Sequence, residues 1–145
     1  MLGGDSAGGN LALELLSSLS HPRSDMPTIR STEPVAATML ISPWVTFDTS
    51  AASFHDNQYA DCVEKPALED WSNAYLGEAA PDGYNSPLAA PKGWWKGLKS
   101  VELCIVYGEY EVFRDDITRF TEVLKVCDRC EWVSMVHSIA SKMLY

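Results

Sequence analysis

Apolar residues follow two different spacings along this chain, and the spacings alternate. Segment 7–20 has apolar residues at the i, i+3, i+4 and i+7 positions of an amphipathic helix, namely Ala12, Leu15, Leu16 and Leu19. Segment 35–41 is a nearly continuous apolar run, which is typical of a strand buried on both faces of a parallel sheet. Two more strands are predicted over 101–107 and 132–136, with a helix over 114–126 between them. This alternation predicts an α/β fold in which helices flank a parallel sheet.

The segment between the second and third predicted strands, about 43–98, is long for a simple crossover. One helix is predicted in it, over 66–76, because Pro66 suits a first helical turn and Gly77 suits a helix end. Aromatic residues are frequent in this segment: Trp44, Phe47, Phe54, Tyr59, Tyr84, Trp94 and Trp95. Ordinary core packing is the favoured role for each of them, and the alternative is that some line a substrate site.

The first predicted helix follows a G-x-S-x-G pattern, Gly4-Asp5-Ser6-Ala7-Gly8. This pattern is typical of a nucleophile elbow, a sharp turn from strand to helix that exposes a strained serine. An oxyanion formed by attack of Ser6 would lie at the positive end of the helix dipole, with the Ala7 N–H as one donor. The alternative is a glycine-rich turn that caps a helix or binds phosphate. Trypsin-like proteases are disfavoured, because their similar motif lies among strands.

Residues 4–12, Gly-Asp-Ser-Ala-Gly-Gly-Asn-Leu-Ala, resemble the elbow of the hormone-sensitive-lipase-like carboxylesterases, a branch of the α/β-hydrolases. Residues 86–88 and 107–116 are also similar to that family, especially to its fungal members. The resemblance implies that residues 1–145 are the C-terminal part of one α/β-hydrolase domain, with an aromatic-rich insertion at about 43–98 and the N-terminal strands missing. The family's His-Gly-Gly-Gly sequence, which supplies further oxyanion donors, does not occur in this chain.

A serine hydroxyl becomes a good nucleophile only when a base takes its proton. Of the chain's three histidines, His21 lies in a polar loop beyond the elbow helix, on the side away from Ser6. His55 lies in the aromatic insertion, where a substrate contact or simple solvation is favoured over catalysis. His137 follows the last predicted strand, as the resemblance requires of the base. The family usually has Asp at the next position, where this chain has Ser138.

The base in turn needs a carboxylate to orient it, and α/β-hydrolases supply it between the serine and the histidine in chain order. The family's acid motif, Asp-Pro-Leu-Arg-Asp, is loosely similar to residues 111–115, and this resemblance places Glu111 on the catalytic acid. Glu109 in the same turn is the alternative. Asp115 and Asp116 are predicted instead to cap the following helix, since the helix dipole favours acids there.

Charge and cysteine content narrow the range of partners and cofactors. A net charge of −9 argues against nucleic acid and against anionic membrane surfaces, and no apolar run approaches the length of a membrane span. Cys127 and Cys130 have the C-x-x-C spacing of redox and zinc sites. They follow a predicted helix instead of preceding one, however, and no second ligand pair occurs. We therefore expect no cofactor and no metal. The sequence does not identify the compartment, and a cytoplasmic one is favoured.

Together these features predict a carboxylic-ester hydrolase that works through an acyl-enzyme on a small-molecule ester. The alternative is a non-catalytic fragment or pseudo-enzyme that acts by associating with another chain. With the elbow strand reduced to Met1-Leu2-Gly3, the strand that begins at Val35 is expected to present an open apolar edge. We therefore expect the chain by itself to be poorly stable, poorly active and prone to self-association through that edge.

Overall fold

A computed structural model describes residues 1–25, 27, 29, 31 and 33–125, and the backbone of 133–137. The described strands form one parallel sheet in the order β1-β2-β3-β4: β1 Leu2–Asp5, β2 Val35–Ile41, β3 Ser100–Tyr107 and β4 Val133–His137. The described helices are α1 Ala7–Ser20, α2 Ser53–Asp56, α3 Lys65–Leu76 and α4 Arg114–Lys125, with a 3-10 turn at Pro87–Ala89. The predicted parallel sheet with flanking helices is confirmed.

The hydrophobic core lies on one face of the sheet. Alternate residues of the two middle strands point into it, among them Leu40 of β2 and Ile105 of β3, which are partners in the strand register and fully buried. Helices α1 and α4 cover this face with Ala12, Leu13, Leu16, Ile117, Phe120 and Leu124. The buried stripe of α1 is rotated from the predicted one, because Leu15 and Leu19 are only half-buried. Polar Ser17 takes an inward position instead and donates to the Gly83 carbonyl.

The opposite face of the sheet is much less covered by the described residues. Met39 and Ile41 of β2 are 44% and 43% exposed. The prediction that this strand is buried on both faces was therefore wrong. Both long helices beside the sheet, α1 and α4, pack into the same core, so a continuous apolar run in β2 did not imply cover on both sides.

The open edge of the sheet also differs from the prediction. Strand β1 pairs with β2 from Leu2↔Thr38 to Asp5↔Ile41, so the strand beginning at Val35 is not left open over its C-terminal half. Gly3 and Gly4 are extended and belong to the strand, and the chain turns only at Ser6. Among the described strands, the two edges of the sheet are β1 and β4, and the edge beside β2 belongs to the four-residue β1.

Most aromatic residues of segment 43–98 serve packing, as favoured from the sequence. Trp44, Phe54 and Trp95 are buried in the core, whereas Tyr59 is 94% exposed. Short helix α2 and the 3-10 turn were not predicted, because so few residues do not show a period. None of the described helices has the length and apolar character needed to cross a membrane.

Candidate active site

Ser6 stands alone between β1 and α1 and has a strained backbone. Its φ is 51° and its ψ is −115°, in a region that residues with a side chain rarely adopt. Its N–H donates to the Ile41 carbonyl at 3.0 Å, and its carbonyl accepts the N–H groups of Asn10 and Trp44, each at 3.1 Å. The Ser6 hydroxyl makes no capping bond to α1. The backbone is thus fixed on all sides while the hydroxyl is left for other chemistry.

Glycines allow the strand and the helix to meet at this turn, but not all of them are required. A Cβ on Gly4 would collide with the backbone of Gly8, and a Cβ on Gly9 would lie 2.8 Å from the Pro43 Cβ. A Cβ on Gly8 would meet nothing within 4 Å. The space that the motif provides is therefore needed at Gly4 and Gly9.

Ala7 is the first residue of α1, so its N–H has no acceptor within the helix. It is exposed and directly follows Ser6. The free N–H groups and the positive dipole end of a 14-residue helix thus lie beside the serine, as an oxyanion donor requires.

An apolar cavity of about 270 Å³ opens next to Ala7. Its walls are formed by Ala7, Asn10, Leu11, Trp44, Phe47, Trp71 and Tyr75. The Phe47 ring contacts Trp44 edge-on at 5.0 Å between centroids, and it contacts Tyr75 at 5.8 Å. Burial, together with the nearby Glu14 carboxylate, raises the pKa of Tyr75 to about 12, so this phenol stays neutral.

Helix α3 brings two of the cavity residues that the sequence analysis did not identify. Trp71 and Tyr75 are four residues apart and therefore lie on one face of α3. Both are about half exposed, at 57% and 48%. Aromatic i, i+4 spacing on a helix with an otherwise polar surface was the signal that could have revealed them.

Glu111 occupies the turn after β3, with its two carboxylate oxygens in different surroundings. Its Oε1 accepts the Ser42 hydroxyl at 2.7 Å and the Gly108 N–H at 2.9 Å. Its Oε2 is buried and has no hydrogen-bond partner among the described residues. One oxygen is thus anchored, and the other is available to a donor.

The turn that carries Glu111 is held by α2 and the residues after it. Asn57 Nδ2 donates to the Glu111 carbonyl at 2.8 Å, and the Ser53 hydroxyl donates to the Val112 carbonyl at 2.6 Å. Asp61 accepts the Val112 N–H at 2.7 Å. The sequence analysis missed these supports, since polar residues in a loop resemble any solvated loop until burial is known. Ser53 is fully buried and Asn57 nearly so.

The other acids of this region have different surroundings. Glu109 is exposed, and its backbone carbonyl accepts hydrogen bonds from the Asn57 amide and the Arg114 guanidinium. Asp115 and Asp116 lie in the first turn of α4, as expected. Their side chains bond to residues other than the helix N–H groups, however, so the capping prediction was wrong.

Those two aspartates instead join α4 to its surroundings. Asp115 accepts from the Arg114 guanidinium at 2.9 Å and from the Ser53 N–H at 2.9 Å, and Arg114 holds the pKa of Asp115 below its usual value. Asp116 is 2% exposed and pairs with Arg119 at 3.2 Å. Burial raises the pKa of Asp116 to about 6.

Strand β4 ends at His137, which is the register partner of Tyr107 at the end of β3. The side chain of His137 lies outside the described residues, as do Ser138, Cys127 and Cys130. Since the strands are parallel, Ser6, Glu111 and His137 all lie at the carboxyl edge of the sheet, after β1, after β3 and at the end of β4.

The remaining histidines are engaged elsewhere. His21 Nε2 lies 2.7 Å from the Trp94 carbonyl, and its ring stacks on Trp94 at 3.9 Å between centroids. His55 is largely exposed and lies beside Asp56. In the part of the chain that the structure describes, no group of His, Cys, Asp and Glu could hold a metal ion.

A parallel sheet with a strained serine between its first strand and first helix defines the chain as an α/β-hydrolase. A protein-family model described as alpha/beta hydrolase fold matches residues 1–140, and the chain belongs to that family. No curated protein matches it.

Several solved structures similar to the chain are esterases. An esterase/lipase from an uncultured bacterium is 30% identical with a TM-score of 0.70, over 94% of this chain and 41% of that one. The esterase EstE5, soaked with ethyl alcohol, is 29% identical with a TM-score of 0.72, over 94% and 41%. An esterase of the bacterial hormone-sensitive lipase family is 28% identical with a TM-score of 0.69, over 93% and 42%. The chain spans about two fifths of the length of these relatives. The closer similarity to fungal members stays a prediction.

Proposed function

We propose that this chain carries the Ser–His–acid triad of a carboxylic-ester hydrolase, with Ser6 as nucleophile, His137 as base and Glu111 as the acid that orients the imidazole. Ser6 Oγ attacks the ester carbonyl carbon while His137 takes its proton. The alcohol leaves with that proton and an acyl-serine remains. Water then attacks the acyl carbon, gives its proton to His137, and the acid is released as Ser6 regains its proton.

The observation that carries this proposal is the state of Ser6. Its backbone is strained and bonded through both polar atoms, its hydroxyl is not used for capping, and the N-terminus of α1 lies beside it. Strain of this kind persists only where the surrounding structure imposes it, and it concentrates at functional sites. A plain helix-capping serine would have an extended backbone and a hydroxyl bonded to the helix.

The cavity beside Ala7 supports an apolar ester group as the part of the substrate that binds there. Apart from Asn10, whose amide nitrogen donates to the Trp44 and Asn85 carbonyls, its walls are aromatic and aliphatic. The phenol of Tyr75 is directed to Glu14 at 3.2 Å. Its volume of about 270 Å³ is at the small end for a ligand site. We infer a short acyl chain or a small apolar alcohol portion.

The test is covalent labelling with a fluorophosphonate probe, which reacts only with an activated serine. We expect labelling of the natural protein that carries this sequence, and we expect Ser6→Ala to abolish both labelling and the hydrolysis of short p-nitrophenyl esters. Ser18→Ala on the same helix is the matched control and should leave both unchanged. Hydrolysis that survives in Ser6→Ala would refute the assignment of the nucleophile.

A second candidate is a non-catalytic role through association with another chain. It is favoured by the free edge of β1 and by the half-exposed Met39 and Ile41 on the less covered face of the sheet. We propose in either case that residues 1–145 belong to the C-terminal part of a single α/β-hydrolase domain. Labelling separates the two functions, since a non-catalytic chain leaves Ser6 unreactive.

A further inference from the structure

We propose that Ser42 is a positioning residue, whose hydroxyl holds Glu111 so that Oε2 is presented to the base. This role rests on the proposed function, because it concerns the acid of the same triad. The sequence analysis did not identify a role for Ser42.

The hydrogen bonds of Glu111 are divided between its two oxygens. Ser42 Oγ and the Gly108 N–H both donate to Oε1, at 2.7 Å and 2.9 Å. Two donors from different elements, the turn after β2 and the turn after β3, fix the plane of the carboxylate. The buried Oε2 is then the oxygen that remains for an imidazole N–H, and a buried acceptor without a donor is costly.

Backbone strain points to the same residue. Ser42 has a φ of 44°. In the described part of the chain, Ser6 and Ser42 are the two non-glycine residues with a positive φ. The position is unusual twice over, since the residue before a proline also favours extended backbone. Backbone strain concentrates at functional sites. The two strained serines at the carboxyl ends of neighbouring strands therefore indicate that the turn after β2, like the turn after β1, has a functional role.

The segment Ser42–Trp44 joins the nucleophile to the acid. The Ser42 N–H donates to the Val106 carbonyl at 2.7 Å, which ties the turn to β3. The Trp44 N–H donates to the Ser6 carbonyl at 3.1 Å, and Pro43 packs where Gly9 leaves room. One tripeptide therefore contacts the elbow on one side and the acid turn on the other.

A glutamate needs this support more than an aspartate does. Glu111 has one more rotatable bond between its backbone and its carboxylate than an aspartate would have. Each free side-chain rotation costs entropy when a catalytic geometry is fixed. The Ser42 hydroxyl restrains the end of the longer side chain, so that the Glu111 carboxylate keeps a fixed orientation towards the base.

The test compares Ser42→Gly with Ser42→Ala in the natural protein that carries this sequence. Both variants remove the hydroxyl, and we expect both to lower kcat by the same factor, roughly 10- to 100-fold for a lost bond to a charged group, with KM unchanged. Their thermal stabilities should differ. Glycine tolerates a φ of 44°, so Ser42→Gly should melt at a higher temperature than Ser42→Ala. A purely structural role predicts that kcat follows stability.

A double-mutant cycle shows whether Ser42 acts through Glu111. We expect Glu111→Gln to lower kcat by up to roughly 10⁴-fold, as loss of the orienting carboxylate does elsewhere, and addition of Ser42→Gly to cost little more. Glu109→Gln and Ser50→Ala are controls, the second because its hydroxyl bonds to Asp48 alone among the described residues. Full additivity of the two losses, or an unchanged kcat in Ser42→Gly, overturns the role of Ser42 but leaves Ser6 labelling intact. Absence of labelling in the unaltered protein overturns the proposed function and this inference together.

Discussion

At the residue scale, burial and partners separate acids that the sequence presents side by side. Glu109 and Glu111 are two residues apart in one turn, yet only Glu111 turns inward and has one carboxylate oxygen anchored. Asp115 and Asp116 are adjacent, and their pKa values move in opposite directions, because Arg114 stabilises one charge and burial penalises the other. A motif can identify the turn, but the surroundings decide which carboxylate is available.

The buried Asp116 should make the stability of the chain depend on pH. Its folded pKa of about 6 lies above the unfolded 3.8, so the folded state keeps the proton to higher pH. Between about pH 4 and pH 6, Asp116 is ionised in the unfolded state but still protonated in the folded state. The free energy of unfolding therefore falls by at most about 3 kcal/mol over this range. We expect Asp116→Asn to remove most of this fall.

Thermal melts of both forms between pH 4 and pH 7 measure the effect of Asp116. The difference in melting temperature should grow in favour of Asp116→Asn as pH rises. The Arg119 pair at 3.2 Å opposes the penalty, and Arg119→Gln therefore serves as the control that should enlarge the fall. Parallel pH curves for Asp116→Asn and the unaltered chain would contradict the assignment.

At the element scale, the elbow depends on the approach of α1 to the turn after β2. The Cβ that Gly9→Ala adds would lie 2.8 Å from the Pro43 Cβ, whereas the one that Gly8→Ala adds meets nothing within 4 Å. We expect Gly9→Ala to destabilise the fold by about 1–3 kcal/mol through overpacking. Gly8→Ala should stabilise it by up to about 1 kcal/mol, because alanine favours the helix.

Urea unfolding of the two glycine variants provides the comparison. They add the same methyl group one residue apart on one helix, so each is the control for the other. Equal free energies of unfolding would show that the 2.8 Å approach of Gly9 to Pro43 does not constrain the elbow.

At the scale of the whole molecule, we expect the less covered face of the sheet to be the main site of self-association. Met39 and Ile41 lie on it beside the free β1 edge, and both are about half exposed. We expect the 145-residue chain to elute as an oligomer in size-exclusion chromatography. Replacement of both residues by lysine should shift it towards the monomer, since charge on an exposed sheet face opposes stacking.

Tyr59→Lys is the matched control for that experiment. Tyr59 is 94% exposed and lies between α2 and α3, outside the strands, so its replacement removes aromatic surface from another part of the chain. A monomeric elution of the unaltered chain, with a sharp thermal transition, would contradict the association.

The sequence by itself determined the order of the elements and the place of the elbow. The bounds of β2 and α1 agree with their patterns, 35–41 and 7–20, because a local period of apolar residues is enough to specify a strand or a helix. The motif around Ser6 likewise needs only adjacent residues. What local pattern could not supply was the role of residues whose partners are distant in the chain.

Only the tertiary structure decided which side of each element is covered and which polar residues support the site. The inward face of α1 includes Asn10 and Ser17, because their partners Trp44 and Gly83 belong to the insertion. Ser42 meets Glu111 across 69 residues of chain, a contact that no spacing reveals. The exposure of one side of β2 also depends on contacts between residues that are distant in the chain. Apolar character follows from the sequence of the strand, whereas burial depends on where the helices pack, and here α1 and α4 share one core.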